Sequence, residues 1–157
     1  MKSKKPAESL KAAPSPVLVH LQLSGDPKCL ALVRRILSAS ATSFPVSSSV
    51  LNDLKLAVTE ACTNVIRHAF KYDFSRNFSL NLEFTSNVLK VRILYSDRLF
   101  DPEKIPIPDL SMVPEGGLGV FIIRKIMDEV VYSSDRETGE VVLHMIKFLH
   151  PTSSQGG

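Results

Sequence analysis

A long helical pattern, from about Ser49 to Lys71, places the strongest constraint on how this chain folds. At ~100° per residue, one face of this helix carries only apolar side chains. These are Leu54, Val58, Ala61, Val65 and Ala69. A second, narrow arc carries polar side chains, namely Asp53, Glu60, Asn64, Arg67 and Lys71, with His68 at its edge. Asparagine is a mediocre residue inside a helix, so Asn64 indicates a chemical role. A carboxylate four residues before an amide can position a water molecule and a metal ion together.

Alternating apolar and polar side chains predict five strands on either side of this helix. They cover residues 17–23, 78–84, 88–95, 130–133 and 140–149. Two further helices are predicted, over residues 28–42 and from Val120 to about Asp128. Short connections between neighbouring strands favour antiparallel hairpins. The order of these elements predicts an α+β fold, a two-layer α/β sandwich in which about three helices cover one face of a mostly antiparallel sheet.

The formal charge of +3 comes from the N-terminus alone. Residues 1–16 contain four lysines and one glutamate, while residues 17–157 contain equal numbers of basic and acidic side chains. The Lys-, Pro- and Ala-rich start predicts a disordered basic tail over 1–16, followed by one domain over 17–149 and a flexible C-terminus over 150–157. A domain without net charge is not a basic nucleic-acid platform, so no direct nucleic-acid binding is expected.

Two further features favour a cytoplasmic location. No run of ~18 apolar residues is present, so no membrane segment is expected, and the N-terminal charges are not followed by the apolar segment of a secretory signal. Cys29 and Cys62 are too few for a disulfide framework or a metal cluster. They fit reduced cysteines packed in a core.

A proline-rich segment and a glycine-rich segment follow one another in the second half of the chain. Residues 102–114 contain four prolines and show no clear period, which predicts a long loop. It is either a lid over a binding site or a merely permissive surface loop. Glu115-Gly116-Gly117-Leu118-Gly119 then leads into a helix, where free backbone N–H groups can bind an anion that glycine allows to approach closely. A tight turn without a ligand is the alternative.

The motifs, taken in order, resemble those of the GHKL (Bergerat-fold) ATPases. Glu60-x-x-x-Asn64 resembles their N-box, Asp97 at a strand end resembles the acidic residue of their D-x-G motif, and Gly117-Leu118-Gly119 resembles their G-x-G box. The wider segments around these motifs, including Phe100-Asp101-Pro102 and Met127-Asp128-Glu129-Val130, resemble the bacterial anti-sigma-factor serine kinases. The resemblance covers roughly residues 17–149.

The resemblance implies a site for ATP and Mg²⁺. Asn64 would ligate Mg²⁺, and Asp97 would accept a hydrogen bond from the adenine amino group. Glu60 would be catalytic, orienting or deprotonating a serine hydroxyl of a partner protein. The phosphates would lie against one continuous segment formed by Gly116, Gly117, Leu118, Gly119 and Val120. His68 and Lys71 lie near the polar face of the long helix, and each either contributes to the site or is structural or merely solvated. Arg34 and Arg35 either contact a partner protein or form a plain exposed pair.

The same resemblance implies an anti-sigma factor that works by partner switching. As an ATP-dependent protein-serine kinase, it would phosphorylate a STAS-type anti-sigma-factor antagonist, and it would sequester a sigma factor. The family forms dimers, which leaves a homodimer open. Leu99 stands where the family has a glycine two residues after the aspartate, so the alternative is a binding module of the same fold with weak or no catalysis. A histidine-kinase catalytic domain is disfavoured, since no dimerisation helix with a phosphoacceptor histidine is recognised.

Overall fold

The computed structural model describes residues 12–149, in which one five-stranded sheet is covered by three α-helices. The strands are β1 Val17–Ser24, β2 Asn77–Phe84, β3 Val88–Ser96, β4 Glu129–Ser134 and β5 Glu140–Phe148. The helices are α1 Cys29–Ala41, α2 Ser48–Asn64 and α3 Leu118–Ile126. Most of the predicted N-terminal tail, residues 1–11, and the predicted flexible C-terminus, residues 150–157, lie outside the described residues.

All neighbouring strands of the sheet pair antiparallel, in the order β1-β2-β3-β5-β4. The β2–β3 and β4–β5 pairs are the hairpins that the sequence predicted. The last strand, β5, inserts between β3 and β4, with Val91 opposite Met145. The predicted two-layer α+β sandwich with a mostly antiparallel sheet is therefore confirmed.

The core lies between the helices and one face of the sheet. Side chains alternate along β2, β3 and β5, so that every second one is buried. The helices complete this layer with Val33 and Leu37 from α1, Leu54 and Val58 from α2, and Ile123 from α3. Each buried aliphatic side chain of this kind stabilises the fold by about 1.5–3 kcal/mol relative to an exposed one.

The helix α2 crosses the middle of this layer and starts where the sequence predicted. The hydroxyl of Ser47 accepts a hydrogen bond from the Val50 amide at 3.3 Å, which makes Ser47 the N-cap. A serine at this position stabilises a helix by about 1 kcal/mol relative to alanine. Four of the five predicted apolar positions are buried, while Ala69, the last, is half-buried.

The structure differs most from the prediction in three segments outside the sheet. The long helix does not run to Lys71, because α2 ends at Asn64 and a π-helical turn, Val65–Ala69, follows it. The helix expected from Val120 to about Asp128 is α3, which already begins at Leu118 and ends at Ile126. The predicted loop over 102–114 is irregular except for a 3-10 turn, Pro102–Lys104, at its start.

Candidate functional site

The last turn of α2 presents Glu60 and Asn64, one above the other, at the edge of the helical layer. Both side chains are half-buried, and Ala61 and Val65 beside them point into the core. Within residues 12–149, no protein group forms a hydrogen bond with either side chain. The carboxylate and the amide are therefore held in place by the helix while their polar atoms stay available to a ligand.

The helix widens immediately after Asn64. The Phe70 amide bonds to the Val65 carbonyl at 2.9 Å, which spans five residues as in a π-helix. Shortly after this turn, Lys71 and Tyr72 have φ of 50° and 62°, in the left-handed region that residues with a side chain rarely adopt. Lys71 thus lies beyond the helix and not on the polar arc that the sequence predicted. Single π-turns inside helices are frequent at functional sites.

The start of α3 packs directly on Glu60 and Asn64, and Gly119 is the point of closest approach. A methyl group at Gly119 would lie 3.0 Å from Oε2 of Glu60 and 3.3 Å from Oδ1 of Asn64. Those separations are tighter than ordinary contacts of a Cβ atom, so only glycine fits there without displacing the two polar side chains. The structure therefore brings together Glu60, Asn64 and Gly119, which are far apart in the sequence.

Gly117 shapes the N-terminus of α3. Its φ is +68°, and as the N-cap residue it offers no side chain to the first amides of the helix. The amides of Leu118, Gly119 and Val120 precede the first possible intrahelical bond, so they remain free to donate to an anion. Gly116 differs, because an added methyl group there would meet no atom within 4 Å. The close approach of α3 to α2 favours glycine at position 119, and the positive φ favours glycine at position 117. Neither reason applies at position 116.

Asp97 follows the end of β3, where a tight turn holds its backbone and one of its carboxylate oxygens. Its amide donates to the Gly139 carbonyl at 2.8 Å, and its Oδ1 accepts the Leu99 amide at 3.0 Å. The other carboxylate oxygen, Oδ2, has no hydrogen-bond donor within residues 12–149. Asp97 can therefore still accept a hydrogen bond from a ligand.

Leu99 occupies the position where the resembling ATPases carry glycine. Its side chain is 87% exposed, and its φ is not in the positive region. The backbone of this turn therefore does not require glycine, and leucine is accommodated there without backbone strain.

Aromatic side chains pack beneath this turn. The ring of Tyr95 meets Phe70 and Phe100 edge to face, and Phe100 stacks on Tyr132 at 5.6 Å between ring centroids. Burial raises the pKa of Tyr95 above its ordinary value, and the nearby Tyr132 and Asp97 add to that shift. The Tyr95 phenol is therefore neutral at physiological pH and supports the turn as an apolar wall.

The proline-rich loop, residues 102–114, is named the lid loop for its place directly before the start of α3. It lies N-terminal to α3, and the Lys125 ammonium donates to the Leu110 carbonyl at 3.1 Å. Several of its apolar side chains are exposed, including Ile107 and Val113. The sequence did not single out Lys125, because a lysine in the last turn of a helix is an ordinary feature.

A magnesium ion fits this site only as a companion of a phosphate ligand. Within residues 12–149, no group of three or more His, Cys, Asp or Glu side chains could hold a metal. Asn64 contributes one amide oxygen, and Mg²⁺ commonly uses one or two protein ligands together with substrate phosphates and water. The donor set therefore fits Mg²⁺ bound with a nucleotide and does not fit a resident metal.

The remaining candidate residues lie elsewhere. Arg67 and His68 are exposed on the π-helical turn. Arg34 and Arg35 are exposed on α1 and line a groove that also includes Lys55 of α2. This basic groove between α1 and α2 is a surface separate from the Glu60–Asn64–Gly119 cluster.

Comparison with known proteins points to one family. Residues 23–147 match the family described as "Histidine kinase-like ATPase domain". Among curated proteins, the serine-protein kinase RsbW of Listeria innocua is 33% identical over 136 residues, which cover 82% of this chain and 87% of that protein. RsbW of Bacillus licheniformis is 29% identical over 140 residues, covering 84% of this chain and 86% of that protein.

A solved structure shares the fold. It contains the RsbU and RsbW domains of a Mycobacterium tuberculosis protein and superposes with a TM-score of 0.59 at 14% identity. The match covers 86% of this chain and 33% of that chain. In the described residues, none of the helices combines the length and the apolarity that a membrane crossing needs.

Proposed function

The chain belongs to the histidine kinase-like ATPase domain family, and from its likeness to the RsbW serine-protein kinases we propose that it is an ATP-dependent serine-protein kinase with an anti-sigma role. Its substrate is a STAS-type anti-sigma-factor antagonist, and its second partner is a sigma factor that it sequesters in the cytoplasm. Phosphorylation of the antagonist leaves the sigma factor bound to the kinase.

One observation carries this proposal: the absence of a side chain at Gly119 lets the N-terminus of α3 rest on Glu60 and Asn64. The free amides of that helix provide donors for phosphate oxygens. The Glu60 carboxylate and the Asn64 amide lie directly beside this helix N-terminus. A polyphosphate placed there would meet a proton acceptor and a metal ligand together, which is what transfer of a phosphoryl group requires.

The binding residues divide the nucleotide between two ends. We assign the phosphate end to Asn64 and the segment Gly116 to Val120. Mg²⁺, when bound with ATP, would be held by the Asn64 amide oxygen and would neutralise phosphate charge. At the other end, Asp97 accepts a hydrogen bond from the adenine amino group through Oδ2, the oxygen that is free of the Leu99 amide.

The catalytic role falls to Glu60. In the transfer, the serine oxygen forms a bond to the γ-phosphorus while the bond to the ADP oxygen breaks. Glu60 orients the serine hydroxyl and accepts its proton. Because the transition state of phosphoryl transfer is loose, positioning contributes more than strong basicity.

The basic groove between α1 and α2 is the proposed contact for acidic surfaces of the protein partners. Arg34, Arg35 and Lys55 supply three cations at one place, and opposite charges accelerate and orient association. No carboxylate lies within 4 Å of these cations among residues 12–149. The domain as a whole carries no excess of positive charge, which is why a protein is proposed here and not a nucleic acid. A homodimer remains compatible with this arrangement.

The test combines nucleotide binding with phosphoryl transfer. The full chain is incubated with ATP, Mg²⁺ and a STAS-domain antagonist from the same organism, and phosphoserine is measured by mass spectrometry. We expect Glu60→Gln to retain ATP binding in calorimetry but to lose about 10²- to 10⁴-fold in rate. Asn64→Ala is expected to lose Mg²⁺-dependent ATP binding. Asn52→Ala, at an exposed position of the same helix, serves as the matched control.

Three outcomes separate the alternatives. Phosphoserine formation that depends on Glu60 and Asn64 supports the kinase. Absence of both ATP binding and phosphoserine, with a sigma factor still bound, favours a binding module without catalysis. Failure to bind either a sigma factor or the antagonist contradicts the regulatory role itself.

A further inference from the structure

Arg76, which lies between the π-helical turn and β2, joins two parts of the chain that the sequence keeps apart. Its Nη1 donates to the Ala69 carbonyl at 2.8 Å, and its Nη2 donates to the Ser96 carbonyl. The guanidinium carbon also lies 4.3 Å from the centre of the Phe70 ring. A single planar group thus bridges two backbone carbonyls while its face packs on an aromatic ring.

The two carbonyls have specific places relative to the nucleotide site. Ala69 is the last residue of the π-helical turn that begins directly after Asn64. Ser96 is the last residue of β3 and directly precedes Asp97. Arg76 therefore connects the π-helical turn that follows the proposed metal ligand to the strand that precedes the proposed adenine-binding aspartate.

The backbone around Arg76 is also fixed. Its carbonyl accepts the Gly25 amide at 2.8 Å, and its own amide donates to the Asp73 carbonyl at 3.2 Å. A methyl group at Gly25 would lie 2.7 Å from the Asp73 carbonyl oxygen, so the β1–α1 turn packs closely against this connection. The position of Arg76 is therefore fixed by the hydrogen bonds of its backbone as well as by the two acceptors of its guanidinium.

The choice of acceptors is informative. Among residues 12–149, Arg76 forms no ion pair with a carboxylate within 4 Å. Cations are favoured near the carbonyl end of a helix, and the rigid fork of arginine can satisfy two acceptors at a set separation. Neither feature requires Arg76 to bridge to β3, so the second bond calls for its own explanation.

We propose that Arg76 is a positioning residue that fixes the distance between the phosphate end and the adenine end of the nucleotide site. This inference rests on the proposed function, because it assigns the two ends to Asn64 and Asp97. Arg76 touches neither ligand end and acts through the carbonyls of Ala69 and Ser96. A nucleotide that spans both ends depends on this distance, whereas a ligand that occupies one end does not.

Lysine cannot replace arginine in this role. Its ammonium is a compact charge on a flexible stem, without the planar fork that reaches two acceptors in a fixed geometry. Arg76→Lys keeps the charge and most of the packing on Phe70, so it isolates the bridging function. Arg76→Ala removes the bridge entirely. Arg92→Lys, at an exposed position on the open face of the sheet, is the matched control.

The first measurement uses ligands of different reach. Affinities for ATP and for tripolyphosphate, both with Mg²⁺, are measured by calorimetry or by competition. We expect Arg76→Lys to weaken ATP binding about tenfold, as for the loss of one hydrogen bond that involves a charged group. Binding of tripolyphosphate is expected to stay within about twofold of the wild type, a change typical of a residue that does not touch the ligand.

The second measurement needs no nucleotide. Hydrogen exchange is followed at the amides of Phe70 and Tyr72 and at those of Asp97 and Phe100. We expect both pairs to exchange faster together in Arg76→Lys and in Arg76→Ala, and neither pair to change in Arg92→Lys. If Arg76→Ala does not fold, Arg76→Lys alone decides the result.

The outcomes distinguish this inference from the proposed function. Equal losses for ATP and tripolyphosphate, or faster exchange at only one pair of amides, would overturn the positioning role. Wild-type protein that binds no ATP would contradict the proposed function and, with it, the nucleotide half of this inference. Wild-type binding with unchanged ATP affinity in Arg76→Lys would contradict the positioning role alone.

Discussion

At the scale of single residues, the site depends on a missing side chain. Glu60 and Asn64 supply the polar atoms, but Gly119 determines how closely α3 approaches them. The sequence identified all three residues through their motifs. It did not show that they touch, because contact between residues so far apart in the chain is created only when α3 packs on α2.

We expect Gly119→Ala to separate activity from stability. Alanine favours a helix over glycine by about 1 kcal/mol, so the melting temperature is expected to stay level or rise. The added methyl group would displace the ends of the Glu60 and Asn64 side chains by a few tenths of an ångström. Because a misplacement of about 1 Å at a catalytic group costs about 10²-fold in rate, we expect the rate to fall by roughly three- to tenfold. Circular dichroism on heating measures the melting temperature, and a phosphorylation assay measures the rate.

Asn52→Ala, at an exposed position of α2 away from the contact with α3, is the control for this prediction. Its activity is expected to stay within about twofold of the wild type. Equal activity of Gly119→Ala and Asn52→Ala would show that close approach of α3 is not required.

The effect of Leu99 on the site could not be predicted from the motif alone. The departure from the family's glycine was visible in the sequence, but its consequence depends on backbone geometry. Since Leu99 has no positive φ, the turn that presents Asp97 forms without glycine. In the hydrogen bond from Leu99 to Oδ1 of Asp97, the donor is the backbone amide of Leu99, so the bond does not depend on the Leu99 side chain.

At the scale of elements, the sequence predicted existence well and boundaries less well. All five strands and three helices were expected, because their apolar periods are clear. The end of α2 was wrong because Val65 and Ala69 keep an apolar spacing that suits a continuing α-helix, whereas the π-helical turn is decided by backbone hydrogen bonds. The start of α3 was wrong because Gly119 lies inside the first turn, where its packing on α2 compensates for its poor helix propensity.

The lid loop offers a prediction at the same scale. Lys125 of α3 donates to the Leu110 carbonyl, so Lys125→Met should free the loop while leaving the length of the side chain similar. The loss of one such hydrogen bond costs about 0.5–1.5 kcal/mol, which raises the population of the open loop about two- to tenfold. Limited proteolysis with thermolysin, which cleaves beside apolar residues, should report this increase within residues 105–113.

Lys90→Met is the matched control for the lid. Lys90 pairs with Glu83 at 3.5 Å on the sheet, far from the lid loop in the fold. In Lys90→Met, the rate of thermolysin cleavage within the lid loop is expected to equal that of the wild type. The same rate in Lys125→Met would show that Lys125 does not restrain the loop.

At the scale of the whole molecule, pairing between neighbours in the sequence was predictable and the insertion of β5 was not. The β2–β3 and β4–β5 hairpins follow from short connections. Strands β3 and β5 are separated in the sequence by the lid loop, α3 and β4, so no local pattern predicts that they pair. The site depends on this long-range contact, because the Asp97 amide donates a hydrogen bond to the carbonyl of Gly139, the residue directly before β5.

The stability of the domain is expected to fall above about pH 8.5, the ordinary pKa of a cysteine thiol. Burial raises the pKa of the Cys62 thiol in the folded state, with a smaller contribution from Cys29. The unfolded chain then loses a proton that the folded chain keeps, so stability that is fully present below pH 8.5 declines as the pH rises. The slope is about 1.4 kcal/mol per pH unit for one such group.

Urea unfolding between pH 7 and pH 9.5 measures this slope. Cys62→Ala is expected to flatten it, whereas Cys29→Ala, at a half-buried position whose thiol pKa is also raised, should change it less. Burial also raises the pKa values of Tyr95 and Tyr132, which add a further decline above about pH 10. An identical slope in wild type and Cys62→Ala would exclude the buried thiol as its origin.

The packing of α3 on α2 also determines what fraction of the molecules is able to bind a nucleotide. A helix of nine residues is marginal in isolation, so α3 owes its order to Phe121 and Ile123 in its contact layer. When α3 opens locally, the sheet and α2 remain folded but the phosphate side of the cluster disappears. The free energy of that local opening therefore sets the competent fraction of molecules, and the apparent nucleotide affinity is reduced in proportion to that fraction.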